Sequence, residues 1–453
     1  MNFRLPVKFI LLFLITLFFF TCERKKEKDN PFLHASPFPA GRIISDVKFA
    51  RDTAQSFSLY LPKKYEHSES LPVLYFFDAH RRGLLPVQRY RALADSFGYI
   101  LIGSNNIKNG LSGEELRRLS ALLLTETGRG FKIDPKRMYL MGFSGGAKGA
   151  VLTAIEDDRI RGVIACAGGF PQNQPPDAGS FEFAGIVGKA DFNYWELRIL
   201  ERDLNSTSRR HILIVHNGKH AWPPAASVAR ALDWFDFNAA RDGLLPLSRK
   251  RIQRFLRRQQ IILANLRRKE DLEGLAEEYR YLIRCLDGLH DTGAFREALK
   301  SLTGSPGYRK LSDRIIKIAR QEFRQRQHLP AYLMEKGANW WQETIHSWDA
   351  TSDSASEAFW SRQRLKSFAG LLVYLYASQA LSKQQTPVAQ KLLSIYALLE
   401  PNNPDRYYLQ AWLHALQGKA PLARKEVQQA LSAGIDDPDK IRHNPVLQSL
   451  NQP

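Results

Sequence analysis

Apolar and polar positions fall into two regimes along this chain. Up to about residue 240, short apolar runs alternate with longer amphipathic stretches; beyond Leu244 those runs disappear and helical three- and four-residue spacings take over. In the first regime, residues from Gly41 to Pro62 alternate apolar and polar, as in Ser56–Pro62, which predicts the opening antiparallel strands of a sheet. Leu71–Phe77 is continuously apolar, and Tyr99–Gly103, Arg137–Met141, Arg161–Gly169, Phe183–Gly188 and His211–Val215 follow in kind. Runs like these are strands covered on both faces. Helical patterns over about Pro86–Phe97 and Gly113–Thr127, the second opened by Ser112 as N-cap, separate the earlier runs. Strand and helix in this alternation predict an α/β fold with a parallel-rich sheet and helices on both faces, followed by an all-α region. Catalytic groups in such a sheet gather beyond the carboxyl ends of its strands.

One such end carries chemistry. After the run Arg137–Met141 comes Gly142-Phe143-Ser144-Gly145-Gly146 and then a stretch of small, helix-compatible residues. A GxSxG turn from strand to helix holds its serine in a strained conformation with the hydroxyl exposed, and side chains at the flanking glycines would collide. Serine needs a neighbouring base, and that base an acid to fix its tautomer and stabilise its charge. Asp191 lies just past the run ending at Gly188, and His220 in the loop past the run ending at Val215. Among the other histidines, His211 precedes its strand and sits at the wrong end, whereas His216 ends the strand and reads as structural. Asp177 and Asp203 are weaker substitutes for Asp191. Trp222 reads as a core plug against Pro223 in preference to a pocket wall.

The stretches Ile133–Gly146, Gly188-Lys-Ala-Asp-Phe-Asn-Tyr194 and Asn217-Gly-Lys-His-Ala-Trp-Pro223, in that order, resemble α/β-hydrolase serine esterases of the polyhydroxybutyrate depolymerase and feruloyl esterase kind, over about Arg42 to Ala240. The resemblance implies an α/β-hydrolase fold in which Ser144 attacks a carboxylic ester, His220 carries the proton and Asp191 orients His220. It implies an oxyanion hole from the N–H of Gly145 and an N–H in the loop after the third strand. That loop usually begins His-Gly; here it reads Asp78-Ala79-His80-Arg81, so alignment to the strand end selects Ala79. No cofactor or metal is implied. No insertion long enough for a large lid separates the elbow from His220, and Pro171–Ser180 is only a loop, so the site is expected to be open and suited to accessible or polymeric esters. Two other readings stand beside this one. One is a non-catalytic envelope scaffold with a degenerate hydrolase domain, which the altered oxyanion loop favours; the other is a serine peptidase on the same triad.

The chain's start and its charge decide where such a protein would work. Arg4 and Lys8 precede twelve apolar or near-apolar residues, Phe9–Phe20, which are followed by Thr21-Cys22 and a charged run to Asp29. Twelve residues fall short of the roughly 20 that span a bilayer. The segment 1–22 therefore reads as an export signal, and Cys22 behind it resembles the lipidated cysteine of a bacterial lipoprotein, with 23–40 as tether. The expected location is the cell envelope, held to the membrane by lipid on Cys22. Cys22, Cys166 and Cys285 show neither metal-ligand spacing nor the density of a disulfide scaffold. Much of the formal net charge of +19 is local: residues 241–269 hold ten Lys or Arg against one acid, Asp242. Ile252, Phe255, Leu256, Ile262, Leu263 and Leu266 recur there at helical intervals, so 241–270 reads as a basic amphipathic helix and linker. With no base-reading motif beside the charge, nucleic acid is not an expected partner.

The remainder, 271–453, reads as helical. Ala377, Ala389, Leu393 and Pro401 are matched 34 residues later by Ala411, Ala423, Val427 and Ile435. That period, with small residues where helices touch, resembles tetratricopeptide repeats over about 370–436, with Gly418 at the turn between the helices of a hairpin. Two units are too few to stand alone, so Tyr279–Leu289 and Phe368–Ala377 must supply packing partners. The resemblance implies a concave surface for a protein partner; a helical spacer, or a lid packed on the hydrolase, fits the sequence equally.

Overall fold

The computed structural model of this chain describes residues 38–350, 356–435 and 437–448. The signal-like segment and Cys22 lie outside them. Among the described residues no helix is long and apolar enough to cross a membrane.

Eight strands form one sheet: β1 (Ile43–Lys48), β2 (Ser56–Tyr60), β3 (Leu71–Asp78), β4 (Ile100–Ser104), β5 (Ile133–Phe143), β6 (Ile160–Cys166), β7 (Glu182–Gly188) and β8 (His211–His216), in the spatial order 1-2-4-3-5-6-7-8. β2 pairs antiparallel with β1 and β4, and the six strands from β4 to β8 run parallel. This is the α/β-hydrolase fold. The parallel strands are mostly apolar because both faces are covered, with the polar residues of β5 confined to its amino-terminal half. On one face α2 (Gly113–Gly130), α3 (Gly145–Glu156) and α4 (Tyr194–Leu204) pack on Val73, Tyr75, Leu140 and Val163. On the other, α1 (Leu84–Phe97) and α5 (Ala225–Arg241) pack on Leu74, Phe76, Met141 and Ile164. Ser112 opens α2 with a capping box, its hydroxyl accepting from Glu115 N–H while the Glu115 carboxylate accepts from Ser112 N–H.

The basic segment forms α6 (Arg249–Arg268), whose Phe255 and Leu263 are buried while Arg254, Arg257 and Arg258 are exposed. The core beneath α5 continues through Phe255 and Leu263 of α6 into Leu275, Tyr279 and Leu282 of α7 (Leu272–Leu286), so the sequence boundary at 241–270 marks no break in packing. Then come α8 (Gly293–Gly304), the long α9 (Pro306–Glu335), α10 (Ala338–Asp349), α11 (Glu357–Ser382), α12 (Thr386–Leu399), α13 (Pro404–Leu416), α14 (Ala420–Ser432) and two short turns, α15 (Asp439–Arg442) and α16 (Pro445–Gln448). α8 packs on the core shared with α7, whereas the helices from α9 onward enclose a separate core that includes Leu333, Trp341, Leu365, Leu393 and Leu409. Ala377, Ala389, Ala411 and Ala423, the small residues of the 34-residue spacing, are all fully buried. Gly418 takes φ +71° in the turn from α13 to α14, where a side chain would be strained.

Candidate active site

Ser144 stands between β5 and α3 with φ 55° and ψ −119°, a conformation L-residues avoid. Its surroundings impose it. A Cβ on Gly142 would lie 2.2 Å from the Gly146 carbonyl oxygen, and one on Gly146 would lie 2.1 Å from that of Phe77. Gly145 is constrained as well, since its Cβ would meet the Asn109 side chain at 1.8 Å. Backbone thus closes on backbone at Gly142 and Gly146, on either side of the serine, and the Ser144 N–H is anchored on the Cys166 carbonyl at 2.8 Å. Ser144 is partly exposed at the amino end of α3, where unpaired N–H groups and the helix dipole favour negative charge.

His220 and Asp191 converge on it. The His220 Nε2 lies 3.1 Å from Ser144 Oγ, and its Nδ1 lies 3.0 Å from both oxygens of Asp191. A neutral imidazole that donates from Nδ1 to the carboxylate leaves Nε2 to accept the serine proton. Asp191 is fully buried and also accepts from the Asn193 N–H at 2.8 Å, so the same carboxylate closes an Asx-turn and holds the base. The imidazole, whose side chain is 19 % exposed, sits between Phe192 (centroids 4.1 Å apart, stacked) and Phe143 (4.8 Å).

The other candidates lie elsewhere. His211 is at the amino end of β8, its Nδ1 bonded to the Arg209 carbonyl, and burial beside Arg284 pushes its pKa down to about 4. His216 packs its ring on Gly218, and burial lowers its pKa too. Asp177 lines a cavity with Pro135 and Arg159 at the amino ends of the parallel strands, and Asp203 pairs with Arg202.

The loop that departs from His-Gly is organised by Asp78, whose role the sequence did not disclose. Asp78 is fully buried and accepts from His80 N–H (2.8 Å), from Nε and Nη2 of Arg82 (2.8 and 2.9 Å) and from Trp222 Nε1 (2.8 Å). Burial alone would raise its pKa; the Arg82 ion pair and these donors outweigh that and hold it below the usual carboxylate value. A charged residue ending an apolar strand, with Arg four positions on, was the available signal. Asp78 pairs in register with Phe143, which sets Ala79 beside Ser144 across the parallel strands, and the Ala79 carbonyl accepts from Asn109 N–H at 2.9 Å. Trp222 is buried, as its reading as a core plug expects, and packs on Phe76, Tyr90 and Phe143.

The helical half reaches the same rim. Arg81, at φ 55°, ion-pairs with Asp439 of α15 at 2.9 Å, and Arg326 of α9 donates to the Phe192 carbonyl at 2.8 Å. No insertion between the elbow and His220 forms a lid; the helical region, for which packing on the hydrolase is one of the open expectations, borders the site instead.

No family model and no curated protein sequence matches the chain. Among solved structures it is similar to an S-formylglutathione hydrolase from Staphylococcus aureus (TM-score 0.37, 14 % identity, over 44 % of this chain and 98 % of that one). It is similar also to an S-formylglutathione hydrolase from Agrobacterium tumefaciens (0.34, 17 %, 43 % and 93 %) and to a ferulic acid esterase (0.35, 16 %, 43 % and 97 %).

Proposed function

We propose that this protein is a serine hydrolase that cleaves carboxylic esters through an acyl-enzyme. The observation that carries the reading is the unbroken row from Ser144 Oγ to His220 Nε2 (3.1 Å) and from His220 Nδ1 to Asp191 (3.0 Å), built on a serine at φ 55°. Ser144 attacks the ester carbonyl while His220 takes its proton, and the tetrahedral oxyanion receives hydrogen bonds from Gly145 N–H and from an N–H at Ala79. The alcohol leaves with the proton from His220. Water, deprotonated by His220, then attacks the acyl-enzyme and frees Ser144. Asp191 holds the tautomer and stabilises the imidazolium. Each oxyanion donor is expected to lower the barrier by about 3 kcal/mol.

The partly exposed serine and the lack of a lid insertion favour esters presented on large or surface-bound substrates. The signal-like segment 1–22 and Cys22 support an envelope location with a lipid anchor, and the helix pairs of α11–α14 support a protein-binding role beside catalysis.

The test uses protein lacking residues 1–22, a fluorophosphonate probe and short nitrophenyl esters. Labelling at Ser144 and loss of turnover in Ser144→Ala are expected. An unlabelled Ser144, or a variant as fast as the parent, leaves the scaffold reading in place; amide cleavage outpacing ester cleavage makes the protein a peptidase. Cys22→Ser should lose metabolic fatty-acid labelling, and retained label removes the anchor.

A further inference from the structure

Asp191 sits in a short loop whose backbone is held from outside the α/β domain. Arg364 of α11 is fully buried and donates from Nη1 to the carbonyl of Lys189, two residues before the acid, at 2.9 Å. Arg326 of α9 donates from Nη1 to the carbonyl of Phe192, one residue after it, at 2.8 Å. The two guanidiniums meet on one carboxylate. Glu322, also fully buried, accepts from Arg326 Nη2 at 2.7 Å, from Arg364 Nη2 at 2.8 Å and from the Trp195 indole at 3.1 Å. Glu357 closes the cluster on the other side of Arg364. Arg364 lies over the rings of Tyr194 and Trp195 at the start of α4, and Arg326 over Phe368.

This is an expensive way to join two halves of a chain. Buried ion pairs repay their desolvation only with near-ideal geometry, and apolar residues of the same volume would hold two surfaces together at least as well. Apolar contacts would, however, leave the register of a loop free. A guanidinium fork bonded to a single carbonyl fixes it, because the donors are rigid and directional. The register matters here because Phe192 stacks on His220 at 4.1 Å and Asp191 accepts the hydrogen bond from its Nδ1–H at 3.0 Å. A shift of the loop moves both the acid and the wall of the imidazole.

The geometry points to Arg326 and Arg364 as positioning residues of the catalytic centre: the helical half, through Glu322, clamps the carbonyls on either side of Asp191 and so sets the alignment of His220 with Ser144. The proposal rests on the reading of Ser144, His220 and Asp191 as a catalytic set. It makes the helical half a working part of the hydrolase, neither spacer nor lid.

The experiment compares the full exported chain with Arg326→Ala, Arg326→Lys and Arg364→Lys, and uses Arg314→Ala, an exposed position on the same helix, as control. Steady-state kinetics on a nitrophenyl ester are read beside the downfield proton resonance of the His220 Nδ1–H, which reports the Asp191 bond without any need for turnover. Arg326→Ala should lose at least tenfold in kcat with KM within twofold, and its downfield resonance should shift or broaden. Arg326→Lys, which can reach one partner but not both, should recover part of each. Arg314→Ala should match the parent. If Arg326→Ala proves too unstable to measure, Arg326→Lys and Arg364→Lys carry the same reading, since each keeps the charge and loses the fork. Parent kcat and a parent resonance in the folded variants overturn the proposal. A parent that shows the resonance but neither turnover nor probe labelling removes the esterase reading, while the resonance still decides whether the clamp positions His220.

Discussion

The indole N–H of Trp222 donates to Oδ2 of Asp78 at 2.8 Å inside the core. Trp222 follows His220 by two residues, and Asp78 precedes the candidate oxyanion donor Ala79 by one, so a single hydrogen bond ties the loop of the base to the loop that would receive the oxyanion. Trp222→Phe keeps the aromatic packing and removes this bond; it should cost about 1–3 kcal/mol in urea unfolding. Asp78→Ala also removes the buried carboxylate that accepts from Arg82 and from His80 N–H, so it should cost about 3–5 kcal/mol and lower kcat more steeply than Trp222→Phe does. An Asp78→Ala protein with parent stability and parent turnover would mean that the loop is organised by something else.

Asp191 is predicted to act through the tautomer of His220, as well as through its charge. Asp191→Asn preserves the shape but offers Nδ1 an amide, whose N–H can turn the imidazole to the wrong tautomer; kcat on a nitrophenyl ester should fall by about 10⁴. His220→Ala should fall comparably, and the double variant should cost little more than either single change, because the residues act as a unit. Additive losses would indicate separate roles.

Which parts were legible beforehand follows from what each signal requires. The meeting of Ser144, Asp191 and His220 could be read because each stands just past an apolar run, and loops past the carboxyl ends of neighbouring parallel strands lie side by side. The glycine pattern spoke for itself: backbone atoms lie within 2.2 Å of where a Cβ would be on Gly142 or Gly146. Asp78 was read only as a departure from His-Gly, because its partners Arg82 and Trp222 are brought to it by tertiary structure. Arg326, Arg364 and Glu322 were out of reach. On an α-helix such residues look like any solvated charged face, and nothing local marks two arginines whose acceptors are carbonyl groups more than a hundred residues away.

Gly142→Ala provides a direct test of the elbow's packing. Elsewhere Gly→Ala within a regular element tends to stabilise, since the unfolded chain loses freedom. Here the methyl would sit 2.2 Å from the Gly146 carbonyl oxygen and 2.6 Å from the Ala147 Cα, both backbone atoms with nowhere to move. The loss of stability should exceed the ~1 kcal/mol of an average substitution, and fluorophosphonate labelling of Ser144 should slow. Gly113→Ala, at the open start of α2 with nothing near its Cβ, is the matching control and should be neutral or slightly stabilising.

The last prediction concerns acid sensitivity at a histidine that does no chemistry. In the folded protein burial, with the Arg284 charge beside it, pushes the His211 pKa down to about 4 from its ordinary 6.5. Its Nδ1–H donates to the Arg209 carbonyl at 2.9 Å, and Nε2 faces the Arg284 guanidinium at 3.2 Å, so the native state fits a neutral ring that accepts at Nε2. Between pH 6.5 and 4 the unfolded chain therefore binds a proton that the native state refuses. Stability due to this residue is complete above the unfolded pKa and drains as pH falls through that window. His211→Gln keeps a polar side chain without the titration, so its urea midpoint should fall less than the parent's between pH 7 and 4.5. Parallel pH profiles for parent and variant would show that His211 binds its proton equally well in the folded state.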